Sequence, residues 1–464
     1  MTREMTADLL VIGFGKGGKT LAAALGARGE RVVLVEQSRL MYGGTCINTG
    51  CVPTKSIVYQ GERLGPASDG KLAYAAAVAT TEQLTASLRA TNLSIFDQID
   101  TATVLTGTAR FIDSTTVEVC TESDRVTVTA ATIVIGTGSE AVVPDIPGLR
   151  QCPVTRTSDQ LLRQVSRPDR LVVLGGGYIG LEFASMYASY GSSVTVLEQR
   201  DAVLGSEDDD VATAAVELMT RRGVTVLTGV DIVDVHTVGR LGGPPAARVN
   251  YTIDGDPACV EADTVLVALG RRPNTSGLDL SCAGVETAAN GAIAVDEFRR
   301  TSQPHIFAVG DVNGGPQFTY ISLDDYRIVL DQLTTASAPR SAKDRKAVPN
   351  CLFLTPPLAR VGMTERQARS EGRRIRVASS PVDKLATVAR ARIVQETEGI
   401  MKVVVDADTD RIVGAALLCH DAHEVINLVA LAMRHDVTAT TLRDEIYTHP
   451  SMSEAFNQLL GMLR

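Results

Sequence analysis

One structural plan occurs twice along this chain: an apolar strand, a glycine-rich turn, a helix of small residues, a second apolar strand and a closing acid. The first copy spans residues 9–36 and the second spans 171–198, and in both the acid follows the last glycine at the same interval. Strands that alternate with helices in this way form a parallel sheet covered by helices. The sequence therefore predicts an α/β protein with two such units.

Each of the two turns has the composition of a dinucleotide-binding site. Glycines allow the backbone to turn tightly and approach a pyrophosphate, the following helix presents N–H donors, and the acid accepts ribose hydroxyls. A glycine turn alone would indicate only tight packing, but here strand, helix, second strand and spaced acid recur together. The residues that carry this prediction are Gly13, Gly15, Gly18 and Glu36 in the first unit and Gly175, Gly177, Gly180 and Glu198 in the second.

A close pair of cysteines, Cys46 and Cys51, follows the first unit. The other cysteines are scattered, which argues against a framework of structural disulfides. A disulfide within the pair would close a very small ring and stabilise the fold little, because the entropic gain grows with ring size. The pair is therefore predicted to be redox-active or to bind a metal.

Composition excludes several classes of protein. With 464 residues, 44% hydrophobic and 21% charged, the chain has the composition of a globular protein with several domains. A net charge of −9 argues against a nucleic-acid partner. No apolar run reaches the ~18 residues that span a bilayer, and the acidic amino terminus does not resemble a signal peptide. A cytoplasmic protein without a membrane partner is expected.

Changes of composition along the chain suggest boundaries between domains. Residues 144–147 indicate a crossover, and residues 337–349, small and of mixed charge, indicate a linker. Beyond the linker, alternating segments at 401–405 and 412–418 and an apolar helix near 425–433 predict an α+β domain.

The cysteine segment and both glycine turns resemble the flavoprotein disulfide reductases, which include glutathione reductase, lipoamide dehydrogenase and mercuric reductase. Residues 301–311 are similar to the family's second flavin motif, and residues 449–454 to its carboxy-terminal base motif. This resemblance covers essentially the whole chain and implies two Rossmann-like domains, for FAD and NAD(P), with a C-terminal α+β dimerisation domain. The implied boundaries are 1–149 and 271–345 for the FAD domain, 150–270 for the NAD(P) domain and 346–464 for the dimerisation domain.

The resemblance implies FAD in the first unit and NADH, with NADPH as the alternative, in the second. Glu198 favours NADH, because a carboxylate repels the 2′-phosphate of NADPH, although Arg200 weakens this preference. Asp311 would hold the ribityl chain, and Tyr178 would gate the nicotinamide pocket. The remaining implied residues are Gly13, Gly15, Gly18, Glu36, Gly44, Thr45, Lys55 and Gly138 for FAD, and Gly175, Gly177, Gly180 and Gly270 for the nicotinamide cofactor.

By the same resemblance, electrons pass from the nicotinamide through the flavin to a Cys46–Cys51 disulfide. Cys51 would be the sulfur next to the flavin, and Pro53 is predicted to open a helix whose positive end favours its thiolate. Cys46 would attack the substrate. Lys55 and Glu182 resemble the ion pair that the family places against the flavin ring.

A base would assist Cys46. The resemblance implies that His449, oriented by Glu454, plays this part and reaches the site from the other subunit of a homodimer. Two more histidines, His420 and His423, are interpreted as structural or interfacial residues, because no second close cysteine accompanies them. No resident metal is predicted.

Four segments, 12–16, 41–44, 317–327 and 355–364, resemble the reactive-chlorine-resistance branch of the family. That branch is implied to reduce hypothiocyanous acid to thiocyanate and to be able to reduce copper(II). The absence of any cysteine after Cys419 differs from mercuric reductases and large thioredoxin reductases, which carry a further redox pair there.

Two alternatives remain open at this point. The chain could be a dihydrolipoamide dehydrogenase or another disulfide reductase, which would accept a small disulfide in place of an oxidant. It could also belong to another class, a flavin-bound redox sensor or metal-binding protein with Cys46 and Cys51 as ligands.

Overall fold

The computed structural model describes residues 2–65, 67–239, 243–334 and 337–464. Within them, two α/β units built on parallel strands precede an antiparallel C-terminal sheet. The sheets of the two units and the C-terminal sheet each pack apolar side chains against helices in buried cores. In the described part of the chain, no helix is long and apolar enough to cross a membrane.

The first glycine turn follows the central strand of a seven-stranded sheet. This strand, Thr2–Ile12, lies between Val32–Glu36 and Arg125–Ile135 and runs parallel to both. The sequence predicts a strand only from Leu9, but it begins at Thr2, because its polar first half pairs through the backbone with Arg125–Ile135. The other strands of this sheet are Ala102–Thr106, Thr108–Phe111, Thr116–Cys120 and Ile306–Ala308.

The second glycine turn follows the strand Arg170–Leu174 in a five-stranded sheet. Ser193–Leu197 and Thr264–Val267 flank this strand in parallel, and Thr264–Val267 is buried along its whole length. Val224–Leu227 and Thr155–Thr157 form the edges. A separate antiparallel sheet comprises Val230–Val238, Ala246–Ile253 and Asp256–Ala262, and a two-stranded ribbon comprises Ser139–Ala141 and Arg271–Pro273.

A helix begins directly after each glycine turn, at Lys16–Gly26 in the first unit and at Tyr178–Ser189 in the second. Both helices therefore direct their amino-terminal N–H groups toward the carboxyl edge of their sheet, where dinucleotides bind in such folds. The other α-helices of the described residues are Thr45–Asn48, Cys51–Glu62, Gly70–Ser94, Ser158–Leu161, Asp209–Arg221, Thr319–Leu333, Glu365–Ser370, Ala389–Ile393, Ala422–Arg434, Ala439–Asp444 and Ala455–Leu459.

The C-terminal region has the α+β character that its sequence predicts. The expected segments lie in the strands Ile400–Asp406 and Ile412–Leu418, and the expected apolar helix is Ala422–Arg434. This helix packs on the sheet through a buried apolar face. The other strands of the sheet are Asn350–Leu352, Leu358–Gly362 and Ile375–Pro381.

A buried cation joins the second unit to the C-terminal region. The Lys402 ammonium, on a side chain only 5% exposed, lies 3.2 Å from Asp208, 3.0 Å from Asp210 and 2.8 Å from Glu365. Asp208 also accepts the backbone N–H groups of Glu365 and Arg366. Removal of the cation would leave three carboxylates close together, two of them largely buried.

We therefore expect Lys402→Met to lower the apparent melting temperature by about 5 °C, since loss of one partner of a buried ion pair costs several kcal/mol. Lys384→Met is the matched control, because Lys384 is 72% exposed beside Asp383. Differential scanning calorimetry of both variants checks the prediction. Equal melting temperatures for the two variants would contradict the structural role of Lys402.

Candidate active site

The two close cysteines lie in consecutive helices. Cys46 is in the short helix Thr45–Asn48, and Cys51 is the first residue of the helix Cys51–Glu62. The sequence predicts a helix opened by Pro53, but it begins two residues earlier, because proline is tolerated in the first turn, where N–H groups lack helical partners. Cys51 itself therefore stands at the positive end of the helix. Both cysteines are free thiols in the structure.

The surroundings of the cysteine pair shift the pKa values of its two thiols in opposite directions. A hydrogen bond with Cys46 lowers the pKa of Cys51 well below its usual range, and the Lys55 ammonium and Thr319 hydroxyl lower it further, against burial. Thr319 Oγ1 lies 3.8 Å from Cys51 Sγ. The same bond to Cys51, together with burial, raises the pKa of Cys46. In the reduced pair Cys51 therefore carries the negative charge and Cys46 keeps its proton.

Lys55 forms a bidentate ion pair with Glu182, with Nζ at 3.0 and 2.7 Å from the two carboxylate oxygens. The Lys55 ammonium also lies 4.6 Å from the centre of the Phe353 ring, and the backbone N–H of Phe353 donates to Glu182 at 2.9 Å. One ion pair thus joins the cysteine helix, the second unit and the C-terminal region beside Cys51.

A second lysine, Lys19, lies near Cys46 and was not identified from the sequence. Lys19 is almost fully buried in the first helix and donates to Asn92. Burial, and then Lys16, lower the pKa of Lys19 to about 8, and its charge acts on Cys46 to favour the thiolate. No local pattern signals this role, because the contacting residues lie far apart in the sequence.

The glycine turns show which positions face a ligand. In the first turn, a Cβ on Gly13 would meet the Gly136 carbonyl oxygen at 2.3 Å, and one on Gly18 would meet Val11 at 2.8 Å. A Cβ on Gly15 would approach nothing closer than 3.6 Å. The outer glycines are therefore required by packing, and the middle one leaves its open side for a pyrophosphate.

The second turn repeats this arrangement. A Cβ on Gly175 would meet the Ala268 carbonyl oxygen at 2.6 Å, and one on Gly180 would meet the Gly175 carbonyl oxygen at 2.0 Å. A Cβ on Gly177 would have no other heavy atom within 4 Å, and the same is true of Gly270, which follows the neighbouring strand Thr264–Val267. Both turns thus have the open cradle that a dinucleotide needs, so the residues present fit both cofactors.

The two closing acids make equivalent contacts. Glu36 accepts the Phe14 N–H at 3.0 Å, and Glu198 accepts the Gly176 N–H at 2.6 Å, in each case from the second position of the glycine turn. Burial raises the pKa of Glu36. Glu198 also accepts the Arg200 backbone N–H at 3.0 Å, while the Arg200 residue is exposed. The acids are thus held at the edge of the turns where a ribose would lie.

Asp311 lies in the single turn Gly310–Asn313 after the last strand of the first sheet. It accepts the Ser139 hydroxyl at 2.7 Å, and Arg271 donates to the same hydroxyl at 2.9 Å. Ser139 and Arg271 are additional residues that the sequence did not indicate. Gly138, which precedes Ser139, has a positive φ of 72° that a side chain would disfavour.

The buried carboxylate of Asp325 fixes the turn Gly310–Asn313, which contains Asp311. Asp325, fully buried, accepts the Gly310 N–H at 2.8 Å and pairs with Arg345 at 2.5 Å and Arg299 at 3.4 Å. The sequence points to this segment only through its resemblance to the reactive-chlorine-resistance branch. The structure gives Asp325 a positioning role for that turn.

Two further residues predicted for the FAD site, Gly44 and Thr45, adjoin the first glycine turn. Gly44, with φ of 79°, precedes the Cys46 helix, and a Cβ there would lie 2.6 Å from the Cα of Gly15. Thr45 opens that helix and is half-buried. The segment that carries the thiols therefore rests directly on the turn that would hold the flavin nucleotide.

Tyr178 is the first residue of the second-unit helix and is half-buried. Its hydroxyl lies 3.2 Å from Asn350 Oδ1 and 3.5 Å from Glu207 Oε1. Burial raises the pKa of Tyr178 to about 12. Glu182 lies four residues further along the same helix, so both side chains are on one face.

His449 and Glu454 are joined in the C-terminal region. His449 Nδ1 lies 2.8 Å from Glu454 Oε1, and Glu454 Oε2 accepts the Ser451 N–H at 2.8 Å. The hydrogen bond from Ser451, followed by the one from His449, lowers the pKa of Glu454. The His449 side chain is 68% exposed in the single chain. The carboxylate therefore orients an imidazole that is largely exposed in the single chain.

The other two histidines are held by neighbouring groups. His420 lies 2.8 Å from Glu396 and 3.1 Å from Asp421, and His423 packs against the Phe353 ring at 5.5 Å. Among the described residues, no group of three or more His, Cys, Asp or Glu side chains is arranged to hold a metal ion.

Comparison with known proteins places this geometry in one family. Residues 7–325 match the family described as pyridine nucleotide-disulphide oxidoreductase, and residues 348–460 match its dimerisation domain. The second match supports the homodimer that the sequence predicts. The α/β fold class with a C-terminal dimerisation domain and the FAD and NAD(P)H cofactors predicted from the sequence are confirmed.

Individual relatives cover nearly the whole chain. The probable pyridine nucleotide-disulfide oxidoreductase RclA of Escherichia coli K12 is 42% identical over 98% of this chain and 99% of the relative. A mercuric reductase of Lysinibacillus sphaericus is 32% identical over 98% and 82%. A dihydrolipoyl dehydrogenase of Bacillus subtilis is 30% identical over 96% and 94%.

Solved structures give the same result. The HOCl-induced flavoprotein disulfide reductase RclA of Escherichia coli, solved as a Cu(II) complex, is 40% identical over 98% of this chain and 99% of that chain, with a TM-score of 0.92. On these matches and the geometry above, the chain belongs to the pyridine nucleotide-disulfide oxidoreductase family and is an FAD-dependent, NAD(P)H-using oxidoreductase.

Proposed function

We propose that this protein reduces hypothiocyanous acid to thiocyanate with electrons from NADH and so acts in defence against reactive chlorine species. The observation that carries the proposal is the cysteine pair, with Cys51 as the thiolate at a helix start and Cys46 as its protonated neighbour. The similarity to a HOCl-induced flavoprotein disulfide reductase supports the biological setting. Reduction of copper(II) is a further activity expected of the same thiols.

The substrate step is a thiol exchange at sulfur. The Cys46 thiolate attacks the sulfur of hypothiocyanous acid, and hydroxide leaves and is protonated to water. Cys51 then attacks Cys46 Sγ, thiocyanate leaves, and the Cys46–Cys51 disulfide closes. The dithiol loses two electrons and hypothiocyanous acid gains them, so one NADH restores the pair in each cycle.

FAD, when bound, passes two electrons from the nicotinamide to this disulfide. The first glycine turn would hold the phosphates of FAD and the second those of the nicotinamide cofactor, and the Asp311 turn is fixed through Ser139 and Asp325. In the Lys55–Glu182 pair beside Cys51, the Lys55 ammonium stabilises the negative charge on that sulfur, and the Glu182 carboxylate opposes it. Glu198 at the edge of the second turn supports NADH as the preferred donor.

The high pKa of Cys46 means that a base must remove its proton before attack. We assign this part to His449 of the other subunit, which is exposed and held by Glu454. Lys19, buried near Cys46, adds positive charge that favours the thiolate. A small electrophilic substrate needs no carrier protein and no long binding groove to reach these groups.

We expect fast NADH oxidation by the purified, FAD-loaded protein with hypothiocyanous acid and slow oxidation with lipoamide or glutathione disulfide. Cys46→Ser should retain flavin and lose at least about 100-fold in turnover, because the attacking thiol is absent. Cys259→Ser is the matched control, since Cys259 is exposed and distant in the fold.

The measurement is steady-state absorbance of NADH with each substrate. Faster turnover with lipoamide than with hypothiocyanous acid would instead favour a dihydrolipoamide dehydrogenase, and tight retention of a metal with no turnover would favour a binding protein.

His449→Ala should slow the reoxidation of the dithiol by hypothiocyanous acid about 100-fold, because a positioned base is lost. Reduction of the flavin by NADH should change little. Stopped-flow measurement of the two half-reactions separates these effects, with His236→Ala as the control at an exposed histidine of the antiparallel sheet. A larger effect on flavin reduction would remove the role assigned to His449.

Thr319→Val should raise the pKa of Cys51 by about half a pH unit, since a hydroxyl that stabilises the thiolate is removed. The wild-type thiolate persists below neutral pH and is lost as the pH falls through the depressed pKa, so the variant loses it at higher pH. The measurement is the pH dependence of Cys51 alkylation by iodoacetamide in the reduced protein, followed by mass spectrometry. Thr334→Val removes a hydroxyl at the other end of the same helix and should leave the curve unchanged.

A further inference from the structure

The Tyr178 hydroxyl spans two parts of the protein. It lies 3.2 Å from Asn350 Oδ1, in the first strand of the C-terminal sheet, and 3.5 Å from Glu207 Oε1, in the loop before the helix Asp209–Arg221. A phenol has one proton to donate, so these two oxygens are alternative acceptors for it. The tyrosine ring is thereby held at both ends, by its helix and by its hydroxyl.

Glu207 is fixed as an acceptor. Its side chain is only 1% exposed, Arg360 Nη1 lies 3.1 Å from its Oε1, and Arg360 also donates to the Ser206 carbonyl at 2.9 Å. Glu207 Oε2 is buried and has no hydrogen-bond partner among the described residues. Arg360 therefore holds in place the carboxylate oxygen that faces the Tyr178 hydroxyl.

The same helix and the same segment meet at a second point. Glu182 lies one helical turn beyond Tyr178 and accepts the Phe353 N–H at 2.9 Å, while Asn350 and Phe353 are three residues apart in the segment that they share. The Tyr178–Asn350 and Glu182–Phe353 contacts thus join the second-unit helix to this segment at two points. Lys55, which would lie against the flavin, pairs with Glu182 at the second of them.

We propose that Asn350 and Glu207 are positioning residues that hold the Tyr178 ring across the nicotinamide pocket, so that NADH must break the tyrosine hydrogen bond to enter. The inference takes the assignment of Tyr178 as the gate from the family resemblance described in the sequence analysis. Because Asn350 and Arg360 belong to the C-terminal sheet, the resting position of the gate is set by the domain that forms the dimer.

The inference predicts the direction in which the affinity for the nucleotide changes. The hydrogen bonds stabilise only the closed ring, so their loss favours the open form and tightens the binding of the nucleotide. One hydrogen bond of this kind corresponds to about fivefold in affinity. The limiting rate of flavin reduction at saturating NADH should change little, because the ring has then already moved.

The test uses the FAD-loaded protein and NAD⁺, which binds without reducing the flavin. Tyr178→Phe should lower the dissociation constant for NAD⁺ about fivefold. Asn350→Ala should lower it in the same direction, and Asn350→Asp, which keeps an accepting oxygen at this position, should restore the wild-type value. Isothermal titration calorimetry gives the constants, and stopped-flow reduction by NADH gives the limiting rates.

The decisive comparison is the double variant. If Asn350 acts through the tyrosine hydroxyl, Asn350→Ala has no further effect in the Tyr178→Phe background. An equal effect in both backgrounds, or a changed limiting rate with unchanged NAD⁺ affinity, would overturn the inference. Asn290→Ala is the matched control, since Asn290 is an exposed asparagine in the first unit.

The outcomes separate this inference from the proposed function. NAD⁺ binding and flavin reduction do not involve hypothiocyanous acid, so failure of turnover with that substrate leaves the gate measurements intact. Unchanged NAD⁺ affinity and unchanged flavin reduction in Tyr178→Ala would remove the gate assignment itself, and the positioning role with it.

Discussion

The contact on which the site depends is the close approach of backbone to backbone at the two glycine turns. In each unit the first glycine packs against a carbonyl oxygen of a neighbouring strand end, at a distance that no side chain permits. This contact places the helix start at the edge of the sheet and leaves the middle glycine open. Gly44 then brings the cysteine segment against the first turn, so the thiols and the predicted flavin site are held by the same turn.

Much of this arrangement could be predicted from local sequence. The turns, their acids and the cysteine pair have fixed spacing, and the resemblance supplied the order of the domains. The predicted start of the first strand was wrong, because residues 2–7 are mostly polar and extend the strand through backbone pairing with Arg125–Ile135. The start of the cysteine helix was also wrong, since Pro53 fits within a first turn as well as before one.

The residues that were missed share a physical reason. Lys19, Ser139, Arg271 and Asp325 act through partners distant in the chain, and nothing in the local sequence distinguishes each from an ordinary helix or strand residue. Their roles arise from burial and charge, which appear only when separate elements meet. His449 illustrates the opposite case, because its motif is recognisable from the local sequence and its hydrogen-bond partner, Glu454, is only five residues away.

The contact between Gly44 and Gly15 has a consequence for the protein before it acquires its flavin. The thiol segment and the nucleotide turn are in direct backbone contact, so a ligand that orders one also orders the other. Binding of FAD at this turn would therefore also stabilise the segment that carries Cys46 and Cys51, so loading of the flavin and stability of the thiol site are thermodynamically linked.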